Sequence, residues 1–270
     1  PELAASCLAP SLLGLWRSEY GVSYGYGTAV AASGYLLLKS LAAVPKLQPL
    51  CKLQVLCLVL YGLRLNVFLL WREICIPRFR EMRNRIEDRA KSQGPRLSRL
   101  PFLLTCAVLY LGLVAPGYLV LKAAEAKAKL GSGFHCAVVA MYVGWLLASF
   151  GDLYKSAMKA KDGEEKLVTS GPFRLLRHPN YTGEQLLWSA NFVAGILAVA
   201  ASYKRLHKTT LLLWLPIAGL GLLGIIFVLM QATAGLEKRQ REKYGEDKAY
   251  WRWVRTSWPG LSLRSPRVAE

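Results

Sequence analysis

Residues 209–233 read TTLLLWLPIAGLGLLGIIFVLMQAT, 25 residues without a formal charge. As a helix rising about 1.5 Å per residue, such a run crosses the roughly 30 Å hydrocarbon layer of a bilayer. Two further charge-free runs stand at 101–121 and 185–203, of 21 and 19 residues. A soluble domain can be as apolar as this chain, at 53% hydrophobic residues, but seldom gathers them into such runs. Disorder is excluded on the same ground. Runs at 24–44, 53–71 and 134–150 complete a set of six, the last two being the weaker. The reading is an all-α, polytopic membrane protein with about six transmembrane helices, forming a single membrane domain over 1–270. The 134–150 run is short for a perpendicular helix and reads as partly interfacial.

Lys and Arg number 35 against 17 Asp and Glu, an excess of 18. Nucleic-acid binding would require a basic face on a recognisable module, and no such module is found, so no nucleic-acid partner is expected. Topology accounts for the charge. Outside the six spans, alternate segments carry 25 Lys and Arg on one side and 8 on the other; Lys39 and Arg64 lie inside spans. An even number of crossings places both termini on the basic, cytosol-like side. Arg64 is costly inside a span and calls for a partner, a polar cavity or snorkelling to the interface. The segment 72–100 mixes Arg with Glu and Asp and reads as a solvated helical connector with ordinary surface pairing. The six cysteines form no CxxC pair and read as apolar filler, and three scattered histidines give no support for a metal site. The chain begins at Pro1, as a processed or a truncated sequence would. The compartment therefore stays open among endoplasmic reticulum, chloroplast and mitochondrion.

Two motifs are misleading. Gly219-Leu220-Gly221-Leu222-Leu223-Gly224 has the spacing of a dinucleotide fingerprint, but that fingerprint works only between a strand and a helix. Inside an uncharged span these glycines suit close helix contact or a kink. Asn180-Tyr181-Thr182 is formally a glycosylation sequon, yet it falls on the basic side and is expected unmodified.

The informative stretch runs from Leu167 to Trp188. Gly171-Pro172 marks a turn, and Pro179 is tolerated in a first helical turn, so a helix starts near His178. Tyr181, Glu184 and Trp188 then fall at i, i+3 and i+7 and share one face. Arg177 and His178 stand at its mouth, where a helix N-terminus favours anions. A polar stripe entering the membrane is expensive unless it lines a wet cavity or a ligand, and a carboxylate gains little from a headgroup belt.

Arg177-His178-Pro179-Asn180-Tyr181, with Gly183-Glu184 and Trp188, resembles a signature shared by related membrane enzymes. These are the steroid 5-alpha-reductase-like membrane domain family of unknown function, the sterol C14-reductases and the isoprenylcysteine carboxyl methyltransferases. Glu237, Lys243-Tyr244-Gly245, Tyr250 and Pro259 resemble the closing pattern of the same families, and Tyr61-Gly62-Leu63-Arg64-Leu65 with Arg72-Glu73 resembles an upstream segment of the reductase-like one. The resemblance implies an adenosine cofactor held by the half of the chain at about 151–270. Its implied contacts are Arg177, His178, Asn180, Tyr181, Glu184, Trp188, Glu237, Arg241, Lys243 and Tyr244. The cations Arg177, Lys238, Arg239, Arg241 and Lys243 suit the phosphates of NADPH. On that reading the chain reduces a C=C bond of a steroid-like or isoprenoid lipid, with Tyr181, Tyr244 and Tyr250 as candidate proton donors. The alternative cofactor is S-adenosylmethionine, for methyl transfer to a prenylated cysteine carboxylate or a lipid. That methyltransferase family would show two adjacent C-terminal glutamates, whereas Glu237 is followed here by Lys238. A third reading, of another class, is a non-catalytic subunit of a larger membrane complex.

Overall fold

A computed structural model of the chain describes residues 1–45 and 48–261. Among the described residues all regular structure is helical, and the one backbone pairing outside helices is a parallel bridge between Leu176 and Trp258. The helices are α1 (Glu2–Ser11), α2 (Leu13–Trp16), α3 (Tyr24–Ala42), α4 (Pro49–Cys75), α5 (Pro77–Ser92) and α6 (Leu100–Glu125). After them come α7 (Ser132–Asp162), α8 (Pro179–Ser202), α9 (Lys208–Tyr244) and α10 (Lys248–Thr256). Prolines open α4, α5 and α6, where a missing N–H costs no hydrogen bond.

Five helical stretches are long and apolar enough to cross a membrane: Pro49–Cys75, Arg96–Glu125, Ser132–Asp162, Pro179–Arg205 and Lys208–Tyr244. This is an all-α, multi-pass integral membrane protein. The sixth expected span forms α3, which has the length, at 19 residues, but not the apolarity. Its sequence is rich in Gly, Ser and Tyr, and Gly27, Ala31, Ser33, Gly34 and Leu37 are buried against protein, which lowers the need for hydrophobic side chains. Two helices outrun their apolar runs. α7 continues through charged residues to Asp162, 31 residues in all, and α9 carries the expected tail residues from Glu237 to Tyr244 as part of its 37.

The chain divides into two compact units, one of Pro1–Val138 with Asn191–Leu222, the other of Val139–Ala190 with the described part of Leu223–Glu270. In the first, polar side chains inside the membrane helices pair with one another. Asn66 donates to Thr28 (2.9 Å), Tyr61 to Tyr26 (3.0 Å), Gln54 to Asn191 (2.7 Å), and Asn191 to the Leu113 carbonyl (2.9 Å). The Arg64 guanidinium lies 5.6 Å over the Phe68 ring. The glycine run of α9 packs as a helix contact: a Cβ on Gly221 would come within 2.2 Å of the Gly112 backbone on α6, while Gly219 has open space around it.

The connector departs from the expected solvated helix. Arg83 and Glu87 of α5 are 4% and 6% exposed and pair inward. Arg83 meets Glu73 and, at 3.3 Å, Glu19; Glu87 accepts from the Ser18 amide (2.8 Å) and from Arg99 (3.2 Å). Alternating signs in the sequence do not reveal this, because the partners come from other elements.

Candidate functional site

The second unit is organised by the crossing of α7 and α8. Gly144, Ala148 and Gly151 follow one another at i, i+4 and i+7 on α7 and present a flat strip. Gly183 of α8 rests on it so closely that a Cβ there would lie 2.4 Å from the Ala148 amide nitrogen. The first turns of α8 are thereby laid on α7, and the Asn180 amide donates to Asp152 Oδ1 at 3.0 Å. The nitrogen of the nominal sequon is thus already engaged.

The C-terminal segment returns onto the start of α8. Asp247 caps α10 by accepting from the Ala249 amide (2.7 Å). Tyr250, Trp253 and Val254, at i, i+3 and i+4, form its buried face and pack with Leu167 and Tyr244. Trp253 Nε1 donates to the Phe173 carbonyl (2.6 Å). The Arg177 amide donates to Trp258 O and the Trp258 amide to Leu175 O, each at 2.8 Å, and Gln185 exchanges hydrogen bonds with the Leu261 backbone at 2.9 and 3.3 Å. Arg177 is fixed by backbone as well as by side chain.

These elements bring Arg177, His178 and Glu237 together at 3%, 2% and 4% exposure. Arg177 Nη1 donates to Glu237 Oε1 at 2.9 Å, and His178 Nε2 stands 3.4 Å from the same oxygen. Glu237 Oε2 and His178 Nε2 have no hydrogen-bond partner among the described residues. Burial holds the Arg177 guanidinium below its ordinary pKa although Glu237 opposes it. Burial also lowers the His178 imidazole, Lys155 and Arg177 acting in the same direction against Glu237, so His178 is neutral at pH 7. The site is therefore one balanced ion pair beside a neutral imidazole, with two buried positions, Glu237 Oε2 and His178 Nε2, left over.

Around this cluster the expected residues sort into two sets. The Tyr181 ring stacks on His178, centroids 6.2 Å apart at 28°. Glu184 and Trp188 are buried farther along α8. Tyr250 is buried, and its phenol is raised by burial and then by the Glu237 charge. Lys243 and Tyr244 turn elsewhere: Lys243 pairs with the Glu165 carboxylate, and Tyr244 donates to the Glu165 carbonyl. Arg241 is exposed. Sequence reading did not single out Asp152 or Glu165, and it quoted Gly183 and Gln185 only as letters in a motif. Nothing local marks Asp152 or Glu165, since each acquires its partner from a segment 28 or 78 residues away.

The pattern of a family described as Protein of unknown function (DUF1295) matches residues 22–257. The chain belongs to this family. The DUF1295 match takes in residues of both units and every member of the Arg177–His178–Glu237 cluster. No curated protein and no solved structure matches the chain.

Proposed function

We propose that this DUF1295 protein is a membrane-embedded reductase that uses NADPH to saturate a C=C bond of a steroid-like or isoprenoid lipid. The observation that carries the reading is the pair of unpartnered polar atoms, Glu237 Oε2 and His178 Nε2, buried beside a balanced ion pair. Buried polar atoms without partners are costly, and a nucleoside hydroxyl or carboxamide would satisfy both. The Arg177 charge is balanced by Glu237, so its role is to hold that carboxylate in place. Phosphates would then fall to the exposed Arg239 and Arg241 on the same turn region of α9. NADPH, when bound, supplies hydride to one carbon of the double bond. The other carbon takes a proton, and we assign its donation to Tyr181, whose ring stacks on His178.

One observation favours a second reading. A buried carboxylate oxygen without a partner also suits a cationic ligand, and S-adenosylmethionine carries an ammonium and a sulfonium. The two are separated by thermal shift of the detergent-purified protein with NADPH or S-adenosylmethionine, repeated on Glu237→Gln and His178→Ala. A melting point raised by NADPH alone, and not raised in the variants, supports the reductase. A rise with S-adenosylmethionine alone overturns it in favour of methyl transfer. No rise with either, on a cooperatively melting sample, leaves the fold to a non-catalytic role in a membrane complex.

A further inference from the structure

The residues that follow α10 are held differently from α10 itself. The helix is anchored by side chains, since Tyr250, Trp253 and Val254 are buried, and Ser257 still belongs with it, donating to the Trp253 carbonyl at 2.6 Å. Residues 258–261 are anchored by hydrogen bonds instead. Trp258 and Leu261 are 53% and 50% exposed, so their large side chains add little packing. The Trp258 carbonyl accepts from the Arg177 amide, and its amide donates to Leu175 O. The Gln185 side chain donates to Leu261 O and accepts from the Leu261 amide. Between them Gly260 takes φ +76°, a left-handed conformation that suits glycine, and lies on Thr182, where a Cβ would stand 2.8 Å from Oγ1.

His178, Thr182 and Gln185 follow one another on α8 at i, i+4 and i+7 and so share a stripe. The strap 258–261 meets this stripe at Thr182 and Gln185 and meets the chain again at Arg177, on the other side of His178. Beneath it Thr182 Oγ1 is buried with no hydrogen-bond partner among the described residues, as are His178 Nε2 and Glu237 Oε2. A strap held by hydrogen bonds to backbone and one amide loses little on lifting, because water replaces each bond. Segments with few buried apolar contacts are those that open locally while the rest stays folded. We propose that residues 258–261 are a displaceable gate over the His178–Thr182–Gln185 stripe, and that a ligand reaches the Arg177–His178–Glu237 cluster when the gate lifts. That the ligand is a cofactor rests on the function proposed above; the opening of the gate does not.

The test reads opening without a cofactor. Diethyl pyrocarbonate acylates neutral imidazoles, and mass spectrometry of the full chain follows it at His178, with the exposed His135 and His207 as internal references. A chain carrying Thr182→Cys and Gly260→Cys, whose approach is within disulfide reach, is compared in its oxidised and reduced forms. Locking the strap should slow modification of His178 roughly tenfold or more and leave His135 and His207 unchanged. Gln185→Ala, in the otherwise native chain, removes both bonds to Leu261 and should speed modification of His178 about tenfold. That variant keeps the test open where the cysteine pair fails to fold, and melting curves establish folding of each. Equal rates at His178 in the oxidised and reduced forms overturn the gate. So does a His178 that stays unmodified in both the reduced form and Gln185→Ala. NADPH and S-adenosylmethionine are then offered to both forms, and whichever raises the melting point should bind the reduced form and not the oxidised one. If neither binds while His178 still responds to the lock, the gate stands and the cofactor reading falls.

Discussion

At the residue scale, the Arg177–Glu237 pair decides what the candidate site can do. Two ions this deeply buried gain from each other only because each is the other's partner, and removing one leaves an uncompensated charge. Glu237→Ala should therefore cost about 3–5 kcal/mol of stability, seen as a fall in melting temperature. The double change Arg177→Met with Glu237→Leu should recover most of it. Ligand binding should not return in the double variant, which separates the site's contribution to stability from its chemistry. His178 adds a pH signature. Its folded-state pKa lies below the ordinary 6.5, so the unfolded chain takes up a proton first as pH falls. Stability should be full above about pH 6.5 and should decline below it as the unfolded chain protonates. His178→Gln should flatten that part of a melting-temperature profile taken from pH 7.5 to 5.

Elements meet here through absent side chains. Gly221 and Gly219 sit two positions apart in the same uncharged run, yet one touches the α6 backbone and the other faces open space. Gly221→Ile should reduce the yield of folded protein, at a cost of about 3 kcal/mol or more, whereas Gly219→Ile should be tolerated. Equal effects at both positions would remove helix packing as the reason for the glycine run. The motif residue Gly183 follows the same logic: Gly183→Val places carbon against the Ala148 backbone and should separate α8 from α7. Its cost should appear in the melting temperature of the ligand-free protein, before any cofactor is added.

Across the whole molecule the open quantity is the number of crossings. Five helices qualify by length and apolarity, and α3 has span length with a polar, protein-facing composition. If α3 crosses with the other five, both termini lie on one side of the membrane. Glycosylatable reporter tags placed before Pro1 and after Glu270 should then report the same side. Opposite sides would reduce the count to five and remove the basis for placing both ends with the basic loops. The charge asymmetry of the loops does not decide between five and six, because omitting α3 moves only Arg17 and Lys39 to the other side and leaves 24 Lys and Arg against 10.

What could be read from the sequence follows from the range of the forces involved. Uncharged runs of span length force helices on the chain, because lipid offers no hydrogen-bond partner to an open backbone; α6, α8 and α9 were legible from that requirement alone. Pro179 and the turn at Gly171 likewise fixed the start of α8, and the spacing of Tyr181, Glu184 and Trp188 fixed a shared face. The glycines of α9 could be assigned to packing, but not which of them packs. The run at 24–44 was legible as the helix α3, but not that much of it is buried against protein. Nor could local patterning pair Arg177 with Glu237 over 60 residues, Arg83 with Glu19, or Lys243 with Glu165. An ion's effect depends on the partner and the dielectric around it, and both are set only when distant segments meet. Local patterning therefore determined the helices and the membrane, while the tertiary structure alone decided which charges are balanced inside.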